Sequence, residues 1–113
     1  MANEVIPTSI FINKVKRLKR KFHTLEDTLL ELEDALIDNP RMGDPYGKNI
    51  YKLRLADESK GKGKSGGFRV VTYVVDETKE STSIYLITIF DKSEDDTIDK
   101  AQVLKLVKKC GLL

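Results

Sequence analysis

The sequence predicts a small α+β layer fold with the element order strand, helix, helix, strand, strand, strand, helix. Three observations carry that reading. Two apolar stripes at helical spacing precede residue 40, three β-rich runs lie between residues 50 and 90, and another helical stripe closes the chain. With 113 residues, the chain suits one domain spanning 1–113, built around a core between sheet and helices.

Val5 and Ile6, ahead of Pro7, predict a very short first strand. Thr8 or Ser9 caps a helix whose apolar positions Phe11, Val15, Leu18 and Phe22 fall on one face, leaving Lys14, Lys16, Arg17, Arg20 and Lys21 for solvent. Thr24 and Asp27 have capping-box spacing at the start of a second helix with a Leu25, Leu29, Leu32, Leu36 stripe. Asp38-Asn39-Pro40 ends it, because proline cannot continue the hydrogen-bond ladder. Two such helices joined so tightly should cover one face of a flat element. That element is Ile50–Ala56, Phe68–Val75 and Ser83–Phe90, each of strand length and rich in valine, isoleucine, threonine and tyrosine. Asp76–Glu80 turns the second run back on the third as an antiparallel hairpin, and the Gly/Lys/Ser stretch does the same for the first and second. The last helix should be capped near Asp96 or Thr97, face Val103, Val107 and Cys110 inward, and stop at Gly111. Lys105, Lys108 and Lys109 near its C-terminus suit the helix dipole, so they say little about a ligand.

Composition narrows the class. An apolar fraction of 40% with 34% charged residues is that of a folded globule, not a disordered chain. No apolar run approaches the ~20 residues that span a bilayer. There is no export leader pattern, and a single cysteine, Cys110, forms no internal disulfide; both suit a cytoplasmic protein. The net charge of +2 is modest, but its distribution is uneven. Lys48 to Arg69 holds seven basic side chains against Asp57 and Glu58. A concentrated basic patch on a balanced body is the footprint of a polyanion site, because phosphate contacts supply most non-specific nucleic-acid affinity. A lysine-rich solubilising loop is the competing reading.

Strand alternation sharpens the patch. In the first long strand Lys52 and Arg54 share one face, about 7 Å apart, while Tyr51, Leu53 and Leu55 share the other and should meet the helices. In the next strand Arg69, Val71 and Tyr73 share a face. If that is the Lys52 face, three cations and a phenol gather on an open sheet surface, with Arg69 an exposed strand residue that adds little to the core.

Several alternatives fall away. Gly63-Lys64-Ser65 looks like the end of a nucleotide-binding P-loop, but the required earlier glycine is replaced by Glu58, and Gly66-Gly67 leads into a strand rather than a helix. His23 is the sole histidine and lies in the junction between the first two helices, so one chain cannot supply a two-histidine nuclease. Asp91, Glu94, Asp95 and Asp96 cluster before a helix start, where capping explains them better than metal binding. What remains is basic chemistry without metal or other cofactor. Cleaving an RNA phosphodiester requires the 2′-hydroxyl deprotonated, the pentavalent phosphorus stabilised and the 5′-oxygen protonated. Arginine serves only the second task. A lysine serves the others where neighbouring cations lower its pKa from ~10.4.

The run YKLRLADESKGKGKSGGFRVVTYVV followed by IYLITIFDKSEDDTI resembles the RelE/HigB superfamily of type II toxin–antitoxin toxins, and its GKGKSGGFR loop is similar to the HigB-like branch. The likeness spans about Ile37 to Lys108, and only the pattern persists in the N-terminal helices. The resemblance implies a RelE-like α+β fold: a small, mainly antiparallel twisted sheet with two N-terminal helices on one face and a C-terminal helix. It implies a metal-independent, ribosome-dependent mRNA endoribonuclease that leaves a 2′,3′-cyclic phosphate, and a cognate antitoxin, commonly with a helix-turn-helix domain. Carried over by position, Lys52, Arg54, Arg69 and Lys92 are the catalytic candidates. Lys60, Lys62, Lys64 and Tyr73 are the RNA-binding ones. Some members place a tyrosine near the start of the final helix where this chain has Ile98, so Tyr73 or another tyrosine would have to stack on the base. Two other functions stay open: a non-catalytic toxin that binds a protein such as DNA gyrase, and an RNA-binding domain without chemistry.

Overall fold

A computed structural model describes residues 2–57 and 67–113, with the backbone but not the side chains of 95–97. Strand β1 (Ala2–Pro7) leads into helix α1 (Ser9–Leu18) and helix α2 (Leu25–Asp38). The two-residue β2 (Asp44–Pro45) is followed by β3 (Ile50–Leu55), β4 (Phe68–Asp76) and β5 (Ser81–Asp91). A 3-10 turn (Lys92–Thr97) and helix α3 (Lys100–Lys109) complete the chain. None of these helices is long and apolar enough to cross a membrane.

The strands form one five-stranded sheet in the order β1-β5-β4-β3-β2. β2, β3, β4 and β5 are antiparallel neighbours, while β1 lies parallel to β5 at one edge. A bulge interrupts the β4–β5 register between Val71 and Thr72. The α+β architecture matches the expectation, although β1 is longer than Val5-Ile6 and β2 was not foreseen.

Each sheet face has its own core. Leu53, Leu55, Phe68, Val70, Val74, Ile84, Leu86 and Ile89 pack with Phe11 of α1 and with Leu25, Leu29, Leu32 and Leu36 of α2. The α2 stripe is therefore buried as the four-three-four spacing requires. Phe22 joins this core from the turn beyond α1, edge-on to Phe68 at 5.1 Å between ring centres, rather than from a longer α1. On the other face Ile50, Val71, Tyr73, Ile87 and Phe90 pack under Val103 and Val107 of α3.

The caps differ from the sequence reading in two places. Thr8 does cap α1, accepting from the Phe11 amide. Thr24 precedes α2 without a side-chain cap, because its hydroxyl is used elsewhere. α3 starts later than Asp96 or Thr97: Asp99 is its N-cap, in a reciprocal capping box with Gln102, because residues 92–97 are taken up by the 3-10 turn. At its end Gly111 adopts φ 78°, its amide donates to the Lys108 carbonyl and the Leu112 amide to the Val107 carbonyl. That is a Schellman stop, which favours glycine at the left-handed position.

Candidate functional site

The β3–β4 register decides where the cations lie. Directly opposed residues of an antiparallel pair project to the same side of a sheet. Lys52 opposes Val71, and Arg54 opposes Arg69. Lys52, Arg54 and Arg69 therefore belong to one face, the one that α3 covers at its other end, where Ile50 opposes Tyr73.

Their environments differ. Arg54 is exposed and Lys52 half-buried, and both line an open hollow of about 390 Å³ at the sheet edge together with Asp44, which pairs with Lys52 across β2–β3. The Lys52 ammonium stands 4.6 Å from the centre of the Tyr46 ring. Arg69 is only 4% exposed, and its Nη1 donates to the Phe68 carbonyl oxygen at 3.1 Å. The expectation of an exposed Arg69 with no part in the core is corrected. It sits between Arg54 and Phe90 on the neighbouring strands, so its stem is covered from both sides. Lys92 is exposed in the first residue of the 3-10 turn, and its amide donates to the Gly67 carbonyl at 3.1 Å, which ties it to the start of β4. Gly67 itself tolerates no side chain, because a Cβ there would collide with the Leu55 carbonyl oxygen. The glycine before Phe68-Arg69 thus lets β4 enter the sheet hard against β3.

Tyr73 is 9% exposed, packs in the core under α3 and lines a hollow between the β2–β3 turn and that helix. Lys60, Lys62 and Lys64 lie outside the described residues. His23 is exposed in the α1–α2 junction, away from the cationic face. Among the described residues no three histidine, cysteine or acidic side chains gather as a metal site would require.

Two residues that support strand β3 around the site escaped the sequence reading, Asp57 from the α1/α2 face and Tyr46 beside Lys52. Asp57 is 4% exposed. Its carboxylate accepts from Thr24 Oγ1 at 3.0 Å and from Thr28 Oγ1 at 2.7 Å, tying the exit of β3 to the first turn of α2. A signal was present: Asp57 continues the odd-numbered, inward parity of Leu53 and Leu55, so an acid there meets helix rather than water. The negative group also suits the helix N-terminus. Tyr46 is the other. Its hydroxyl donates to the Ile98 carbonyl at 3.1 Å, bridging the β2–β3 turn to the start of α3. Its only mark in the sequence is its place in a Pro-Tyr-Gly turn. On the opposite side of β3, Arg41 donates to the Tyr51 hydroxyl and to Asp76, and the first of these contacts raises its guanidinium pKa further above an already high value.

No protein-family model matches the chain. Among solved structures it is similar to a double mutant of the E. coli toxin RelE in the free state, with a TM-score of 0.60 over 93% of this chain and 97% of the toxin, at 18% sequence identity. The chain therefore has a RelE-like fold, with its cationic strands β3 and β4 at the centre of the antiparallel part of the sheet.

Proposed function

We propose that the protein is the toxin of a type II toxin–antitoxin pair, of the RelE/HigB kind, and that it cuts messenger RNA on the ribosome without a metal. The observation that carries this reading is the β3–β4 register, which gives Lys52, Arg54 and Arg69 a common face. The RelE-like fold supports it. In this proposal Lys52, in its neutral form, takes the proton of the 2′-hydroxyl, and the freed O2′ attacks the adjacent phosphorus. Arg54 and Arg69 hold the phosphate oxygens as negative charge grows on them. The P–O5′ bond breaks, and Lys92 returns a proton to the departing 5′-oxygen. The products are a 2′,3′-cyclic phosphate and a 5′-hydroxyl end. The ribosome supplies the in-line substrate geometry that these four cations cannot impose alone. Lys60, Lys62 and Lys64 contact the RNA backbone, a cytoplasmic antitoxin covers the cationic face or the helices, and the chain falls in the HigB-like branch.

A second reading, RNA binding without chemistry, takes support from one feature: Arg69 is buried and engaged with the Phe68 carbonyl. Mapping messenger RNA ends in a translation extract separates the two. The nuclease reading expects cuts inside translated codons with cyclic phosphate ends, only when ribosomes are translating. Retarded but intact RNA would replace it with the second reading.

A further inference from the structure

The two helices over the α1/α2 face carry opposite charge. Residues 9–24, which are α1 and the turn after it, hold six lysines and arginines and no acid. Residues 25–38, which are α2, hold six acids and no lysine or arginine. A groove of about 270 Å³ lies between them, with Lys16 and Lys19 on its α1 wall and Glu26 and Glu33 on its α2 wall. Among the described residues none of these four makes an ion pair within the chain. Inside, the groove is apolar. Phe11 and Leu29 are buried at its floor, and Ile12 and Leu30, 40% and 56% exposed, stand on opposite walls. One exposed leucine is ordinary, but two large apolar side chains across a groove with an apolar floor form a patch.

We propose that this groove is a two-fold interface between two copies of the chain, with α1 of each protomer lying over α2 of its partner. In a symmetric dimer one patch meets itself, so the patch must be its own complement. A two-fold axis along the groove brings the basic wall of each copy over the acidic wall of the other. An axis across the groove would set basic on basic and acidic on acidic, and repulsion rejects it. In the favoured arrangement Ile12 meets the partner's Leu30, while Lys16 and Lys19 meet the partner's Glu26 and Glu33. The contact then has an apolar centre and a charged rim, as specific interfaces do. Other occupants fit one wall only. A polyanion such as RNA is repelled by the acids of α2, and a polycation by the bases of α1. Helices of 10 and 14 residues are about 15 and 21 Å long, and side by side they offer a face on the order of 500 Å². That is the small end of specific interfaces, so the dimer is reversible and of micromolar strength. Because α1 and α2 cover the opposite side of the sheet, the face bearing Lys52 and Arg54 points away from the contact in both copies.

The inference is independent of the nuclease reading and is tested without RNA. Sedimentation equilibrium of the full chain should show the mass of one chain giving way to that of two in the micromolar range. Lys16→Glu with Lys19→Glu makes both walls acidic, and Glu26→Lys with Glu33→Lys makes both basic. Each double variant alone should dimerise about 100-fold more weakly than the parent, since symmetry reverses every contact twice. Mixed in equal amounts, the two should recover a dimer near parent strength, because each supplies the wall that the other lacks. A parent that stays monomeric up to about millimolar concentration overturns the proposal and leaves the groove to a different protein. Folded variants that dimerise like the parent, or a mixture that stays monomeric, overturn it as well. Should a charge variant fail to fold, Leu30→Asp decides, since it alters a single exposed position: its dimer should weaken at least about tenfold, and a parent-like dimer would refute the interface.

Discussion

The two faces of the sheet are built from the same three strands, yet they have opposite fates. On one face, Leu53, Leu55, Phe68, Val70 and Val74 are all buried under α1 and α2. On the other, α3 covers Ile50, Val71 and Tyr73, while Arg54 along the same strand face stays in solvent. The difference lies in the number of helices available. Two amphipathic helices cover a five-stranded sheet; one ten-residue helix, about 15 Å long, covers part of it. The uncovered part is the place where strand residues can remain charged, and the boundary between covered and uncovered runs through Lys52, Tyr46 and Arg69. A second helix on that face would have completed the core and left no surface for a polyanion.

Changes on either side of this boundary should separate chemistry from folding. The largest effect is expected at Arg69. Replacement by lysine keeps the charge but loses the planar fork, and should cut messenger RNA cleavage about 100-fold or more. The alanine variant should also lose about 2–3 kcal/mol of stability, since it strips a hydrogen-bonded charged group from a buried position. Parallel denaturant melts and cleavage assays measure both, and near-parent cleavage by Arg69→Lys would show that this guanidinium takes no part in the reaction. Asp57 lies on the fully covered face and tests the opposite case. Asp57→Ala should lower stability by about 2 kcal/mol, because two threonine hydroxyls lose a buried acceptor. Amide exchange in the first turn of α2 should quicken with it, and an unchanged melt would show that the carboxylate is dispensable there. The smallest effect is expected at two matched threonines flanking the bulge. Thr72 faces the α1/α2 core and Thr88 the α3 side, and the hydroxyl of each is buried without a hydrogen-bond partner among the described residues. Thr72→Val and Thr88→Val should each raise stability by about 1 kcal/mol. A loss at Thr88 alone would mean that the face under α3 is more polar inside than its apolar neighbours imply.

Much of the fold was legible because its signals are local. The Leu25, Leu29, Leu32, Leu36 stripe, the proline after Asn39 and the left-handed Gly111 each act within a turn or two of the chain, and each stands where expected. Illegible features depend on distant partners. The Thr24–Asp27 spacing imitates a capping box, but the Thr24 hydroxyl goes to Asp57, 33 residues away, because a buried carboxylate is the stronger acceptor. Asp44–Pro45 is too short to show a strand pattern and pairs only because β3 lies beside it.

For the candidate site the division is the same. Alternation along each strand, a property of the backbone alone, already grouped Lys52 with Arg54 and Arg69 with Val71 and Tyr73. Whether the two groups share a side depends on register, which the chain sets only when the sheet assembles and the apolar partners on both faces find cover. Burial of Tyr73 was decided by where α3 comes to rest, and that of Arg69 by its neighbours Arg54 and Phe90 across the sheet. A residue's side of a strand follows from its own position in the chain; its exposure follows from what packs over it.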